Sequence, residues 1–74
     1  MSIYPAVNGK QAIQVLCAFG FEVIRISGSH HVLKKPGHNC VPVPVHGNKE
    51  IPPGTLRSII RQAGLTLREF YGEL

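Results

Sequence analysis

The alternation of valine and proline in the stretch Val41-Pro42-Val43-Pro44-Val45-His46 constrains the fold of this chain more than any other feature. Successive residues of a strand point to opposite faces, so the three valines form one apolar face, and the prolines and His46 form the other. Two prolines at positions i and i+2 remove amide donors from the same side of the strand, and that side cannot pair with a further strand. The pattern therefore predicts an edge strand, the last member of a three-stranded meander.

The flanking segments predict helices. Asn8 with Gln11 three residues later is typical of a capping box, and Gly20 is a natural stop, which predicts a first helix between them. A second helix follows Pro52 and ends at Gly64, and a short third one starts at Thr66, where Glu69 completes a second capping box. The apolar stripes at helical spacing predict these core residues: Ala12, Ile13, Leu16 and Cys17 in the first helix, and Leu56, Ile59, Ile60 and Ala63 in the second.

One further strand is predicted at residues 21–26, which are rich in β-branched and aromatic side chains, and another at residues 30–34, after the turn signal of residues 27–29. Pro36 and Gly37 suit the central positions of a type II turn after the second strand. The order helix, three strands, helix, short helix predicts an α+β two-layer sandwich with an antiparallel meander. Its topology is that of a double-stranded-RNA-binding domain. We expect a single domain over residues 1–74, with residues 1–7 as an N-terminal extension.

The charge of the chain favours a polyanionic partner. Eight Lys and Arg oppose four Glu, with no Asp, which leaves a net charge of +4 on 74 residues. Nucleic acid is the first candidate for such a partner, and an inert basic surface that maintains solubility is the alternative. The candidate phosphate contacts are Arg25, Lys34, Lys35, Lys49, Arg57 and Arg61.

Metal-dependent chemistry is not expected. The four glutamates are scattered, whereas metal-dependent nucleases hold Mg²⁺ with clustered carboxylates. Cys17 and Cys40 have no motif spacing, and the histidines have no partner pair at zinc-finger spacing, so we expect no metal and no cofactor, and a disulfide between the two cysteines stays open but has no support from the sequence. No segment approaches a membrane span and no signal peptide is recognised, so we expect a cytoplasmic protein that does not contact a membrane.

The stretch Gly28-Ser29-His30-His31 is the predicted chemical centre. A histidine can accept and donate protons near neutral pH, and RNA carries its own nucleophile in the 2′-hydroxyl. A positioned imidazole could deprotonate that hydroxyl for attack on the adjacent phosphate. Adjacent strand residues point to opposite faces, so only one of His30 and His31 is expected to face a substrate. The residues alone do not choose between the two, and either could be structural.

Three motifs in order resemble the HicA (YcfA-like) family of toxins: the Gly-Ser-His-His stretch, then residues 43–50 (Val-Pro-Val-His-Gly-Asn-Lys-Glu), then residues 54–65 (Gly-Thr-Leu-Arg-Ser-Ile-Ile-Arg-Gln-Ala-Gly-Leu). The resemblance covers about residues 10–70. It implies an mRNA interferase of a type II toxin–antitoxin pair, which cuts RNA without a ribosome or a metal. It also implies a HicB-like antitoxin that covers the toxin and its active histidine and that carries the DNA-binding part, so that contact with DNA is indirect.

The resemblance also implies an active residue. The active histidine of the family closes a Gly-Ser-x-His motif, which here is His31, with His30 at the variable position. The possible accessory residues are Gly28, Ser29, His30 and His46. The chain departs from the family pattern in lacking a basic or amide residue at Ile26 or Ser27, in lacking an acidic residue in the loop 36–39, and in carrying Cys40 where threonine is common. A non-catalytic RNA-binding module of the double-stranded-RNA-binding type is the alternative function.

Overall fold

The computed structural model describes residues 4–74 and has the predicted order of elements. The elements are α1 (Gly9–Ala18), β1 (Glu22–Ser27), β2 (His30–Lys34), β3 (Val41–Pro44), α2 (Pro53–Gln62) and α3 (Leu67–Gly72). The three strands form one antiparallel sheet in the order β1-β2-β3. This arrangement confirms the α+β fold of the double-stranded-RNA-binding type. The first three residues of the predicted N-terminal extension lie outside the described residues.

The strand β3 lies at the edge of the sheet, as the prolines predicted. It pairs with β2 so that Val43 lies opposite His31 and Pro44 lies opposite His30. The regular strand ends at Pro44, two residues earlier than predicted, although the Val45 amide still donates a hydrogen bond to the Ser29 carbonyl at 2.6 Å. The valine amides therefore face β2, and the proline nitrogens, which carry no hydrogen, face away from the sheet.

The valine face of β3 belongs to the hydrophobic core. Val41 and Val43 are fully buried together with Leu33 of β2, and all three lie on the sheet face that the helices cover. The helices contribute their buried stripes to the same cluster, and Phe70 of α3 closes it. Fully burying an aliphatic or aromatic side chain of this size contributes about 1.5–3 kcal/mol, so this cluster dominates the stability of the fold.

The prediction that Cys17 belongs to the core is wrong. Cys17 is exposed, and Val15 is buried in its place. The buried positions of α1 also include Gly9, which contacts β3 and so fixes the rotation of the helix about its axis. With the helix in that orientation, Cys17 lies on the margin of the apolar stripe and faces solvent.

The local signals for caps and turns are confirmed. Asn8 and Gln11 exchange two hydrogen bonds of 2.9 Å, and Thr66 and Glu69 exchange bonds of 2.8 and 3.1 Å, so both capping boxes form. Gly37 has φ +83°, which is the left-handed value that a type II turn requires at its third position. The two capping boxes fix where α1 and α3 begin, and the turn at Pro36 and Gly37 reverses the chain between β2 and β3.

Gly9 allows α1 to approach β3 closely. A Cβ atom at this position would lie 2.4 Å from the Pro44 carbonyl oxygen and 2.9 Å from the Val45 Cα. Both are backbone atoms, so they cannot move aside as the end of a flexible side chain could. Only glycine permits the packing distance that is present between helix and strand.

We expect Gly9→Ala to lower the free energy of unfolding by about 1–3 kcal/mol, because the added methyl group forces α1 away from β3. Gly54→Ala is the matched control, since a Cβ there would meet no atom within 4 Å. Urea denaturation of both variants measures the difference. Equal stabilities of the two variants would contradict the close contact between Gly9 and β3.

Candidate functional site

His30 is the exposed member of the adjacent histidine pair. It is the first residue of β2 and lines two open grooves of about 360 Å³ each. One groove runs along the outside of β3 towards α2 and is lined by Pro42, Ser58 and Gln62, among others. The other, called here the histidine groove, is lined by His30, Pro44, His46, Lys49, Glu50, Ile51, Pro52 and Thr55.

Three elements build the histidine groove. The pairing of β2 with β3 places His30 opposite Pro44, and the loop that follows β3 carries His46 and Lys49. This loop turns tightly, because the Lys49 amide donates a hydrogen bond of 3.0 Å to the His46 carbonyl and Gly47 has φ +59°. The first turn of α2 then brings Thr55 to the same groove. Two imidazoles and one ammonium group therefore share one concave, solvent-accessible surface.

The beginning of α2 adds a favourable field for anions. The helix starts after Pro52, where no side-chain hydrogen bond caps it, and Pro52 and Thr55 at this end of the helix line the histidine groove. The partial positive charge of a helix N-terminus adds to that of Lys49. Glu50, which also lines the groove, is the opposing negative charge.

His31 lies on the other face of the sheet. Its backbone is opposite Ile26 of β1 and the buried Val43 of β3, so its side chain points towards the layer of helices. The ring is half-buried, and its Nδ1 atom is buried without a hydrogen-bond partner among residues 4–74. The two adjacent histidines thus have different surroundings, as strand parity predicted.

The candidate phosphate contacts are divided among several surfaces. Arg25 and Lys34 lie on the outer sheet face, the face of His30. Alternate residues of β2 share a face, so Val32 and Lys34 are on the side of His30, and Arg25 joins them because it is opposite Val32. The Lys34 ammonium donates a hydrogen bond to the His38 carbonyl. Lys35 lies over the ring of Phe21, with its ammonium 5.8 Å from the ring centre. Lys49 is the member of the set that lines the histidine groove.

The two arginines of α2 lie elsewhere. Arg57 lines a separate cavity of about 350 Å³ beside the stacked rings of Tyr4 and Tyr71, whose centres are 4.5 Å apart. Burial raises the pKa of Tyr71, the Tyr4 phenol raises it further, and the Arg57 guanidinium opposes both. Arg61 is exposed in the last turn of α2. Among the described residues, neither arginine lines the histidine groove.

Within residues 4–74, no group of three or more His, Cys, Asp or Glu side chains is arranged to hold a metal ion. In that part of the chain, no helix has the length and apolar character needed to cross a membrane.

Comparison with known proteins identifies the family. The family model for the HicA toxin of bacterial toxin–antitoxin systems matches residues 9–65, well over half of the 74-residue chain. The matched region extends from the start of α1 to the end of α2 and includes every residue of the histidine groove. The chain therefore belongs to the HicA toxin family. A comparison with curated proteins found no match.

Sequence reasoning did not predict that Thr55 would lie beside His30 and His46. The available signal was the short connection of eight residues between β3 and α2, which holds the start of the helix close to the end of the strand. The proline alternation did place His46 on the outer side of β3, the side from which the groove opens.

We expect diethyl pyrocarbonate to modify His30 and His46 faster than His31. The reagent must reach a ring nitrogen, and the rings of His30 and His46 are exposed, whereas His31 is half-buried with its Nδ1 atom inaccessible. Mass spectrometry with fragmentation between the two adjacent histidines measures the three rates. Slower modification of His30 than of His31 would contradict the orientation of β2.

Proposed function

We propose that this chain is a toxin that acts as a metal-independent endoribonuclease on mRNA in the cytoplasm. Its family supplies the toxin–antitoxin context. The observation that carries the proposal is the exposed His30, which shares one groove with His46 and Lys49. Two groups able to transfer protons and one cationic side chain are the parts that RNA cleavage through the 2′-hydroxyl needs.

The proposed reaction uses the two histidines of the groove. His30, unprotonated, removes the proton from a 2′-hydroxyl, and the 2′-oxygen attacks the adjacent phosphorus. The bond from phosphorus to the 5′-oxygen breaks, and protonated His46 gives its proton to that leaving oxygen. The products are a 2′,3′-cyclic phosphate and a 5′-hydroxyl. Lys49 stabilises the negative charge that develops on the phosphate oxygens.

The family resemblance assigns the active role to His31, and that assignment stays a prediction. Two observations favour His30 instead as the histidine that contacts RNA: its exposure and its position in the groove. His31 faces the helices, with one ring nitrogen buried, which suits a packing role that supports β2. The two assignments make opposite predictions for single substitutions.

The outer sheet face is the proposed track for the RNA backbone. Arg25 and Lys34 lie on the same face as His30, so a strand that crosses the sheet could contact both cations before it reaches the groove. Gly28 and Ser29 form the turn that precedes His30, and their proposed role is to set its position. Lys35, Arg57 and Arg61 stay candidate contacts on other surfaces.

Two further parts of the proposal concern partners. A HicB-like antitoxin is the proposed neutralising partner, and any contact with DNA is proposed to occur through that antitoxin. The second candidate function is a non-catalytic RNA-binding module, which the net charge of +4 and the fold would serve equally well. Only cleavage distinguishes the two functions.

We expect His30→Ala to reduce cleavage of a single-stranded RNA in EDTA by at least about 100-fold, since positioned acid–base groups contribute about 10²–10⁴ in rate. His31→Ala is the matched control, and it should retain activity if it stays folded. Gel analysis of the products, with identification of their ends, measures the rates. If His31→Ala is folded but inactive while His30→Ala is active, the catalytic histidine is His31 and not His30. Intact RNA with the wild-type protein would favour the binding module.

We expect the double variant Arg25→Ala/Lys34→Ala to bind RNA more weakly. The slope of the logarithm of its affinity against the logarithm of the salt concentration should also be shallower, by about one unit for each lost phosphate contact. Arg68→Ala is the control, because Arg68 is exposed on α3, away from the sheet. Fluorescence anisotropy with a 2′-O-methyl RNA, which cannot be cleaved, measures both quantities. An equal effect of Arg68→Ala would show that only overall charge matters.

A further inference from the structure

The two edges of the sheet are treated differently. On β3, Pro42 and Pro44 remove the amides that would face a further strand, so this edge is closed to pairing. On β1, the opposite edge of the sheet, every residue carries an amide hydrogen and every residue is exposed. An open strand edge is a ready site for the addition of a strand from another chain.

The open edge is also apolar. Val23, Ile24 and Ile26 are 39%, 56% and 61% exposed, and they are three of the five large hydrophobic residues exposed within residues 4–74. The helices pack mainly against β3, at the far side of the sheet, so the inner face of β1 is only partly covered. Val23 and Ile26 lie on that inner face, because their partners on β2 are Leu33 and His31.

One feature of β1 limits where a partner strand can pair. The register shifts between Val23 and Arg25, which leaves Ile24 as a bulge without a partner on β2. Bulges bend a strand and interrupt its ladder, so a long regular pairing is blocked at this point. The segment from Arg25 to Ser27 keeps a regular register and offers a short pairing site next to the bulge.

Charge decides between a second copy of the chain and a different partner. Each copy carries a net charge of +4, and the charged residue of the pairing site 25–27 is Arg25, whereas Glu22 lies on the other side of the bulge. Pairing two β1 strands would bring two like-charged molecules together, whereas an acidic partner gains electrostatic attraction along the same edge.

We infer that β1 is the docking strand for the antitoxin, which adds an extended, acidic segment with alternating apolar residues as a fourth antiparallel strand. The apolar residues of that segment cover Val23 and Ile26 on the inner face. This inference rests on the antitoxin partner of the proposed function, and it does not depend on RNA cleavage.

The test compares substitutions at one exposed position of β1. Ile26→Glu should weaken binding of the cognate antitoxin at least about tenfold, because it removes apolar contact and repels an acidic segment. Ile26→Lys should weaken it less than Ile26→Glu, and Ile26→Val should bind like the wild type. Gln14→Glu adds the same charge on the exposed surface of α1 and is the control. Isothermal titration calorimetry measures the affinities.

Hydrogen exchange provides the second measurement. The amides of residues 25–27 that face away from β2 should exchange quickly in the free chain and slowly in the complex. Unchanged exchange of these amides, or equal affinities of Ile26→Glu and Gln14→Glu, would overturn the inference while leaving the antitoxin partner intact. Dimerisation of the free chain that Ile26→Glu abolishes would assign the edge to a second copy instead. Failure of the wild-type chain to bind the antitoxin would contradict both the inference and the proposed partner, whereas the EDTA cleavage assay tests the nuclease separately.

Discussion

The burial of the valine face of β3 is the interaction on which the rest of the structure depends. Val41 and Val43 are fully buried beneath the helices, and Gly9 lets α1 approach the end of the same strand to within van der Waals contact. This packing fixes the rotation of α1 and the position of β3. Because β3 pairs with β2 in one register, the same packing also determines which histidine faces outward.

Strand parity then gives two adjacent histidines different surroundings. His30 opens onto a groove with His46 and Lys49, and His31 faces the helices with a buried ring nitrogen. A shift of one residue in the pairing would place His30 on the same face as the valines and His31 on the same face as the prolines, so either the two histidines would exchange environments or the prolines would be buried in place of the valines. The stability of the core and the placement of the proposed site are therefore consequences of one choice of register.

The fold was predictable because its signals are local: the proline pattern, two capping boxes and the Pro36-Gly37 turn all act within a few residues. The exposed Cys17 was not predicted, since the rotation of α1 is set by the contact between Gly9 and β3 rather than by the apolar pattern alone. The histidine groove was predictable only in part. Parity separated His30 from His31, but the meeting of His30, His46 and Thr55 depends on how three elements pack.

The most direct test of the account is a nuclear magnetic resonance titration with a short RNA that carries a single 2′-deoxy nucleotide at the cleavage position. Such an RNA lacks the nucleophile and stays intact, so binding is observed without cleavage. We expect the ring signals of His30 and His46 to shift most, and those of His31 to shift less. Large shifts of the His31 ring with unchanged His30 and His46 would contradict this expectation, because the substrate would then contact the inner face of the sheet.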